Sequence, residues 1–206
     1  MTDRRLSSSM PMNRRRFVTS AVIVAGSLAG GRWLVTARAA ASSTPGSAPP
    51  AAAAGGLLTI ENFAATGRST GLVKIGKLVK SDVEWRTQLA PLAYRVTRRA
   101  DTEAPFSGEY AESRADGLYR CVCCATALFD STTKFDSGTG WPSFWRPISP
   151  YNVSSNADSS FGMQRDAVAC ARCDAHLGHV FDDGPRPTGL RYCMNSVSLA
   201  FVPRAS

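Results

Sequence analysis

Six cysteines, at positions 121, 123, 124, 170, 173 and 193, and two histidines, at 176 and 179, carry most of the reactive chemistry in this sequence. Four of the cysteines form two knuckles, Cys121-x-x-Cys124 and Cys170-x-x-Cys173, separated by residues 125–169. Two C-x-x-C pairs supply four thiolates that close tetrahedrally on one structural Zn²⁺, in tight turns whose amides stabilise the sulfur charge. The gap is longer than in a minimal zinc ribbon, as expected if a lobe is inserted between the knuckles. Paired disulfides are the alternative for an exported chain. Cys193 stands apart in Arg191-Tyr192-Cys193-Met194-Asn195-Ser196, and both histidines lie in His176-Leu177-Gly178-His179-Val180-Phe181. One cysteine with a histidine pair elsewhere in the sequence is the composition of an activated-thiol site, in which a nearby imidazolium populates the nucleophilic thiolate. The plainer readings are a small buried hydrophobe for Cys193 and zinc ligation for the histidines alongside Cys170 and Cys173. Trp141, between Gly140 and Pro142, reads either as a ring presented on a rigid turn or as ordinary core packing.

The elements that must position these groups are short. Ser81-Asp82-Val83-Glu84 fits a capping box and predicts a helix from there to about Leu89. Pro91 suits the first turn of a second helix carrying Leu92, Tyr94 and Val96. After Arg99 the chain turns to Gly, Pro, Ser, Asp and aromatics with brief apolar runs, Leu118-Tyr119 and Ala127-Leu128-Phe129. The run Val197 to Val202, ending before Pro203, predicts a strand. The expectation is a mainly β domain with short helices at its N-terminal side.

The chain has 206 residues, 44% hydrophobic and 19% charged, which is globular composition. Its formal charge of +8 is not spread evenly. Residues 1–39 hold seven arginines against the single acid Asp3, a net of +6, leaving +2 for the rest. A charge-driven nucleic-acid role for the remainder loses its main support, and no nucleic-acid partner is expected. Asn13-Arg14-Arg15-Arg16-Phe17-Val18 resembles the twin-arginine export motif, with Asn where that pattern prefers Ser or Thr. The apolar stretch from Val18 to about Gly31 falls short of the roughly 20 residues of a spanning helix. Ala37-Arg38-Ala39 then offers a small-x-small cleavage site, placing cleavage after Ala39. The expectation is a signal peptide over 1–39, passage through the twin-arginine machinery and a periplasmic protein; an uncleaved membrane anchor is the alternative. That route carries folded proteins, so zinc could be loaded in the reducing cytoplasm before export. Residues 40–56, rich in Ala, Pro, Gly and Ser without charge, read as a flexible linker, with the folded unit over 57–206.

Six blocks, in order, resemble the methionine-R-sulfoxide reductase B family. They are Pro105-Phe106-Ser107-Gly108-Glu109-Tyr110, the knuckle Tyr119-x-Cys121-x-x-Cys124, Phe135 through Gly140-Trp141-Pro142-Ser143-Phe144, Cys170-x-x-Cys173, the histidine hexapeptide, and the Cys193 hexapeptide. The resemblance spans about residues 80–203. It implies two small antiparallel sheets with short helices beside them. It also implies reduction of the R epimer of methionine sulfoxide, free or in oxidised proteins and peptides, as a repair activity. By position, Cys193 matches the nucleophile. His176, His179 and Asn195 match the residues that position and polarise the sulfoxide oxygen, Trp141 matches the indole that receives the methyl group, and Phe181 lies beside the substrate. Cys121, Cys124, Cys170 and Cys173 match the structural Zn²⁺ ligands.

One cysteine is left over. Many members of the family carry a resolving cysteine just before the Gly-Trp-Pro turn, where this chain has Thr139. Cys123 is a candidate to resolve a Cys193 sulfenic acid through a disulfide, but it sits inside a zinc knuckle. The alternative is direct reduction by an external thioredoxin-like thiol donor. Two rival functions stand beside the reductase: a non-catalytic zinc module, which leaves Cys193, the histidines and Trp141 without a role, and a cysteine hydrolase built from Cys193 and His179.

Overall fold

The computed structural model describes residues 56–158 and 165–205. The expected export signal and, Gly56 apart, the expected linker lie outside the described residues. Among the described residues no helix is long and apolar enough to cross a membrane.

The chain opens with a hairpin, β1 (Leu57–Phe63) and β2 (Ser69–Gly76), that the sequence reading did not foresee. It is tied to the domain by Asn152, a fully buried amide. The Asn152 Oδ1 accepts from Glu61 N–H at 2.8 Å, and its Nδ2 donates to the carbonyls of Glu61 and Ala127, each at 2.8 Å. The two predicted helices follow as α1 (Asp82–Gln88) and α2 (Pro91–Arg99). Ser81 and Glu84 form the reciprocal capping box, and Pro91 opens α2, where its missing N–H costs nothing.

The remaining strands are β3 (Gly117–Cys121), β4 (Ala127–Asp130), β5 (Lys134–Phe135), β6 (Ser143–Phe144), β7 (Val153–Asp158), β8 (Arg165–Cys170), β9 (His176–Phe181), β10 (Arg191–Met194) and β11 (Leu199–Pro203). They build an antiparallel six-stranded sheet, β5-β6-β10-β9-β8-β7, and an antiparallel three-stranded sheet, β11-β3-β4. The two expected sheets are therefore present, with the hairpin as an addition. Their shared core is aromatic: Phe144 of β6 stacks on Phe129 of β4 at 4.5 Å and meets Tyr119 of β3 edge-on at 5.0 Å. Leu118, Leu128, Val168, Leu177 and Met194 complete it, all fully buried. The strand expected from Val197 begins instead at Leu199, because residues 196–198 form a single 3-10 turn. α2 packs against β9 and this turn, so the helices brace the strands that carry the reactive residues.

Candidate active site

Cys193 lies in β10 between two partners. Its cross-strand neighbour on β9 is His179 and on β6 is Ser143. Side chains directly opposite in antiparallel strands share a face, as do residues two apart on one strand. One face of the sheet therefore gathers Cys193, His179, Ser143, Arg191 and Phe181. The other face of β10 sends Met194 into the core.

Two histidines three residues apart would point to opposite faces of a regular strand. A register shift against β8 corrects this: Gly178 pairs with Val168, but His176 pairs with Ala169, leaving Leu177 as an extra, fully buried residue. The bulge re-aims the strand, and the imidazoles of His176 and His179 meet edge to face at 5.3 Å. Gly178 is required for this close approach, since a Cβ there would lie 2.1 Å from the Cys193 carbonyl oxygen.

A pocket of about 100 Å³ opens over the thiol, lined by Cys193, His179, Phe181, Asn195, Trp141 and Thr102. His176 stands against His179 rather than on the pocket wall. The indole of Trp141 is anchored by its Nε1–H, which donates to the Glu103 carbonyl at 3.1 Å. Asn195 is buried, with Oδ1 accepting from Glu103 N–H at 3.0 Å and Nδ2 donating to the Leu177 carbonyl at 3.1 Å. An amide nitrogen carries two hydrogens, so one remains for a ligand.

Glu103 is thus the hub of the site, and the sequence reading missed it. Its buried carboxylate also accepts from Ser196 N–H at 2.6 Å and Val197 N–H at 3.0 Å, capping the 3-10 turn that follows Asn195. Gly108 makes room for it, because a Cβ there would lie 2.5 Å from Glu103 Oε1 and 2.2 Å from Ser196 Oγ. Arg191, which the sequence leaves open as either an electrostatic orienter of the site or a solvated strand residue, is mostly buried and lies on the Cys193 face of the sheet. Its guanidinium forms a two-pronged pair with Asp183, at 2.8 and 2.7 Å, and lies over the Phe181 ring at 4.3 Å.

Burial pushes the Cys193 thiol above its usual range. Thr139, the Arg191 charge and Ser143 oppose that rise without cancelling it. The Thr139 hydroxyl is 3.9 Å from Cys193 Sγ and continues through Ser137 to Ser143 by contacts of 2.8 Å each. Burial thus favours the protonated thiol, which stands beside a chain of hydroxyls.

The four knuckle cysteines converge at a separate place. Cys121, Cys124, Cys170 and Cys173 bring their sulfurs within 4.8 Å of one another and can hold a metal ion. The two turns repeat the same geometry. Ala125 N–H donates to Cys121 O at 2.8 Å and Asp174 N–H to Cys170 O at 2.9 Å, and both Ala125 (φ 61°) and Asp174 (φ 56°) are left-handed. The helices hold the turns from outside: Gln88 donates to the Cys123 carbonyl at 2.8 Å and Arg98 to the Cys173 carbonyl at 2.9 Å. Cys123 is buried in interaction range of Cys121, Cys173 and Thr97, whereas Cys193 has Thr139, Ser143 and Arg191 within interaction range and His179 opposite it on β9. The histidines do not join the cluster, which comprises cysteines alone among the described residues.

A small β domain with a half-buried thiol in a pocket walled by an indole and an imidazole, and a separate four-cysteine cluster that could hold a metal ion, defines a thiol-chemistry protein. Residues 89–203 match the SelR domain model, and the chain belongs to that family. It is 59% identical over 128 residues to the peptide methionine sulfoxide reductase MsrB of Pseudomonas savastanoi pv. phaseolicola, covering 62% of this chain and 98% of the relative. The protein of the same description from Pseudomonas syringae pv. syringae is 58% identical over 129 residues, 63% of this chain and 98% of the relative. That from Thioalkalivibrio sulfidiphilus is 60% identical over 121 residues, 59% of this chain and 88% of the relative. The β1–β2 hairpin precedes the residues matched to the family model.

Proposed function

We propose that this protein reduces methionine sulfoxide to methionine, in the R configuration, with Cys193 as nucleophile. The observation that carries the reading is the Cys193 pocket with Trp141, His179 and Asn195 on its walls, in a chain 59% identical over 128 residues to a protein named for that reaction. A sulfoxide has an electrophilic sulfur and a strongly polar oxygen. The S-methyl group suits the Trp141 face, since aromatic rings favour polarisable sulfur groups. The oxygen then turns toward His179 and the remaining Asn195 hydrogen, with His176 orienting its neighbour and Phe181 closing the far wall.

Cys193 sulfur attacks the sulfoxide sulfur while the oxygen gains protons, and an imidazole is suited to deliver one near neutral pH. The thiol's own proton supplies the other. Attack joins the two sulfurs as the S–O bond breaks and the twice-protonated oxygen leaves as water. A water oxygen then displaces methionine from the Cys193 sulfur, breaking the S–S bond, returning one proton to the imidazole and leaving a Cys193 sulfenic acid. The substrate sulfur thus gains two electrons and the cysteine sulfur loses two. Two external thiols then return Cys193 to the thiol, releasing water and their own disulfide. The burial of Cys123 among the knuckle thiols supports that external route over resolution by Cys123, and a thioredoxin-like protein is the donor of matching chemistry.

The metal reading is Zn²⁺ held by Cys121, Cys124, Cys170 and Cys173. Tetrahedral Zn–S bonds of about 2.3 Å require sulfur separations of about 3.8 Å, and Cys121–Cys173 and Cys124–Cys170 are 3.7 and 3.5 Å apart. With four thiolates filling its coordination, such an ion supplies folding energy rather than catalysis. It would fix Cys173, three residues before β9 begins at His176. The arginine-rich segment 1–39 and the spacer 40–56 support export through the twin-arginine machinery to the periplasm, or anchoring there if the signal is retained.

The test is turnover of each epimer of a methionine sulfoxide peptide by metal-loaded protein with dithiothreitol. Loss of the R epimer alone, abolished by Cys193→Ser, is expected. Turnover of neither epimer by folded protein would refute the reading and favour a non-catalytic metal module.

A further inference from the structure

Cys193 has a second side, off the pocket. Thr139, Ser137 and Ser143 do not line the hollow over the thiol, yet their hydroxyls gather at its sulfur. Thr139 Oγ1 lies 3.9 Å from Cys193 Sγ, and Ser137 Oγ lies 2.8 Å from both Thr139 Oγ1 and Ser143 Oγ. Ser143, fully buried, is the cross-strand partner of Cys193 and within interaction range of its thiol. Three hydroxyls and the thiol thus close a ring.

The segment that presents Thr139 is held on both sides. Asp136 Oδ1 accepts from Gly138 N–H at 2.9 Å, and the Gly140 carbonyl accepts from Phe106 N–H at 2.8 Å. Gly140, at φ +86°, has no space for a side chain, because a Cβ would meet Phe106 N at 2.7 Å. The backbone therefore fixes the hydroxyl against the sulfur.

Displacement at sulfur runs in line, because the entering electron pair must align with the bond that breaks. A water that displaces methionine from Cys193 enters from the side away from the departing group and leaves its oxygen off the pocket, where the hydroxyls stand. The five other cysteines all belong to the knuckle turns, so that oxygen waits for an external thiol. The vacated pocket admits the thiol in line with the S–O bond. A hydroxyl both accepts and donates, so the group that stands beside the resting thiol can turn its hydrogen to the oxygen.

We propose that Thr139 is a catalytic residue of the second half-reaction: its hydroxyl holds the sulfenic oxygen of Cys193 and gives it the proton with which it leaves as water. The inference rests on Cys193 being the reducing thiol of the proposed activity. The donor's electron pair forms the new S–S bond, and the S–O pair leaves with the oxygen. Thr139 regains a proton through Ser137, and the proton that the donor thiol shed to solvent completes the balance. A second donor thiol then frees Cys193.

The experiment uses the full, metal-loaded chain. The oxygen is placed on Cys193 by the sulfoxide peptide or, independently, by one equivalent of hydrogen peroxide, which turns the thiol into sulfenic acid and water. Dithiothreitol is added, and dimedone trapping on the Cys193 peptide follows the loss of the oxygen. Thr139→Val should slow that loss about tenfold, the factor of one hydrogen bond to an oxygen gaining charge. Thr139→Ser, which keeps the hydroxyl, should restore the wild-type rate. A Thr139→Val rate equal to wild type, or a Thr139→Ser rate as slow as Thr139→Val, would overturn the inference. No methionine from the sulfoxide, with the peroxide-formed acid still reduced in a Thr139-dependent way, would remove the reductase reading instead.

Discussion

Replacing Glu103 tests whether one carboxylate holds the site together. Its two oxygens take buried N–H groups of Ser196 and Val197, at 2.6 and 3.0 Å, while its own backbone fixes Asn195 and Trp141. Glu103→Ala leaves both amides without acceptors in a buried setting. Each orphaned group costs about 1–3 kcal/mol, so the expected loss is about 4 kcal/mol. Glu103→Gln keeps one acceptor and sets an amide NH₂ against the other donor, for about half that loss. A domain of this size holds about 5–15 kcal/mol, so Glu103→Gln should fold and Glu103→Ala should be marginal. Urea unfolding gives the stability, and epimer-specific turnover by Glu103→Gln gives the site effect. With Trp141 displaced, KM for the sulfoxide should rise and substrate quenching of indole fluorescence should weaken. A loss below about 1 kcal/mol for Glu103→Ala, with unchanged KM for Glu103→Gln, would refute the hub.

Three further outcomes follow from the geometry. Thr139→Cys puts a thiol where a hydroxyl now lies 3.9 Å from Cys193 Sγ, so turnover without reductant should leave a disulfide between the introduced thiol and Cys193, detectable by peptide mapping, which wild type lacks. Because burial raises the Cys193 thiol, its alkylation by iodoacetamide should accelerate with rising pH to a midpoint above the ordinary thiol value of about 8.5. Arg191→Gln should move that midpoint higher still, since the lost positive charge had favoured the thiolate; a midpoint near neutrality would contradict this. Cys173→Ser should release the metal, lower the thermal midpoint and reduce turnover by loosening β9, and a metal-free variant of unchanged stability would show that the cluster has no structural role.

Legibility from sequence followed locality. Ser81–Glu84 and Pro91 announced the two helices because caps act over three or four residues. The C-x-x-C spacing announced the metal cluster because each knuckle is a local turn, although the closure of four sulfurs into one group is tertiary. The site residues were marked chiefly by resemblance; their types and spacing suggested an activated thiol but not its substrate. What escaped was non-local or contrary to ordinary preference. Glu103 is an acid in a buried place, the opposite of its usual habit. The Arg191–Asp183 pair forms across a loop, and nothing in the spacing of the two residues reveals it. The strand expected from Val197 lost its first two residues to the 3-10 turn that Glu103 caps, a carboxylate more than ninety positions upstream overriding β propensity. The hairpin 57–76 carries only a short signal, Val73 and Ile75 alternating with Lys74 and Gly76, too brief to announce a strand by itself.

The most direct test of Cys193 as the attacking group is a single turnover in the absence of any thiol donor. Metal-loaded protein mixed with an excess of R-sulfoxide peptide should release one methionine per chain and then stop, with Cys193 alone trapped by dimedone as the sulfenic acid. Methionine released in a stoichiometry independent of Cys193, or a trapped oxygen on Cys123 with Cys193 unmodified, would contradict it.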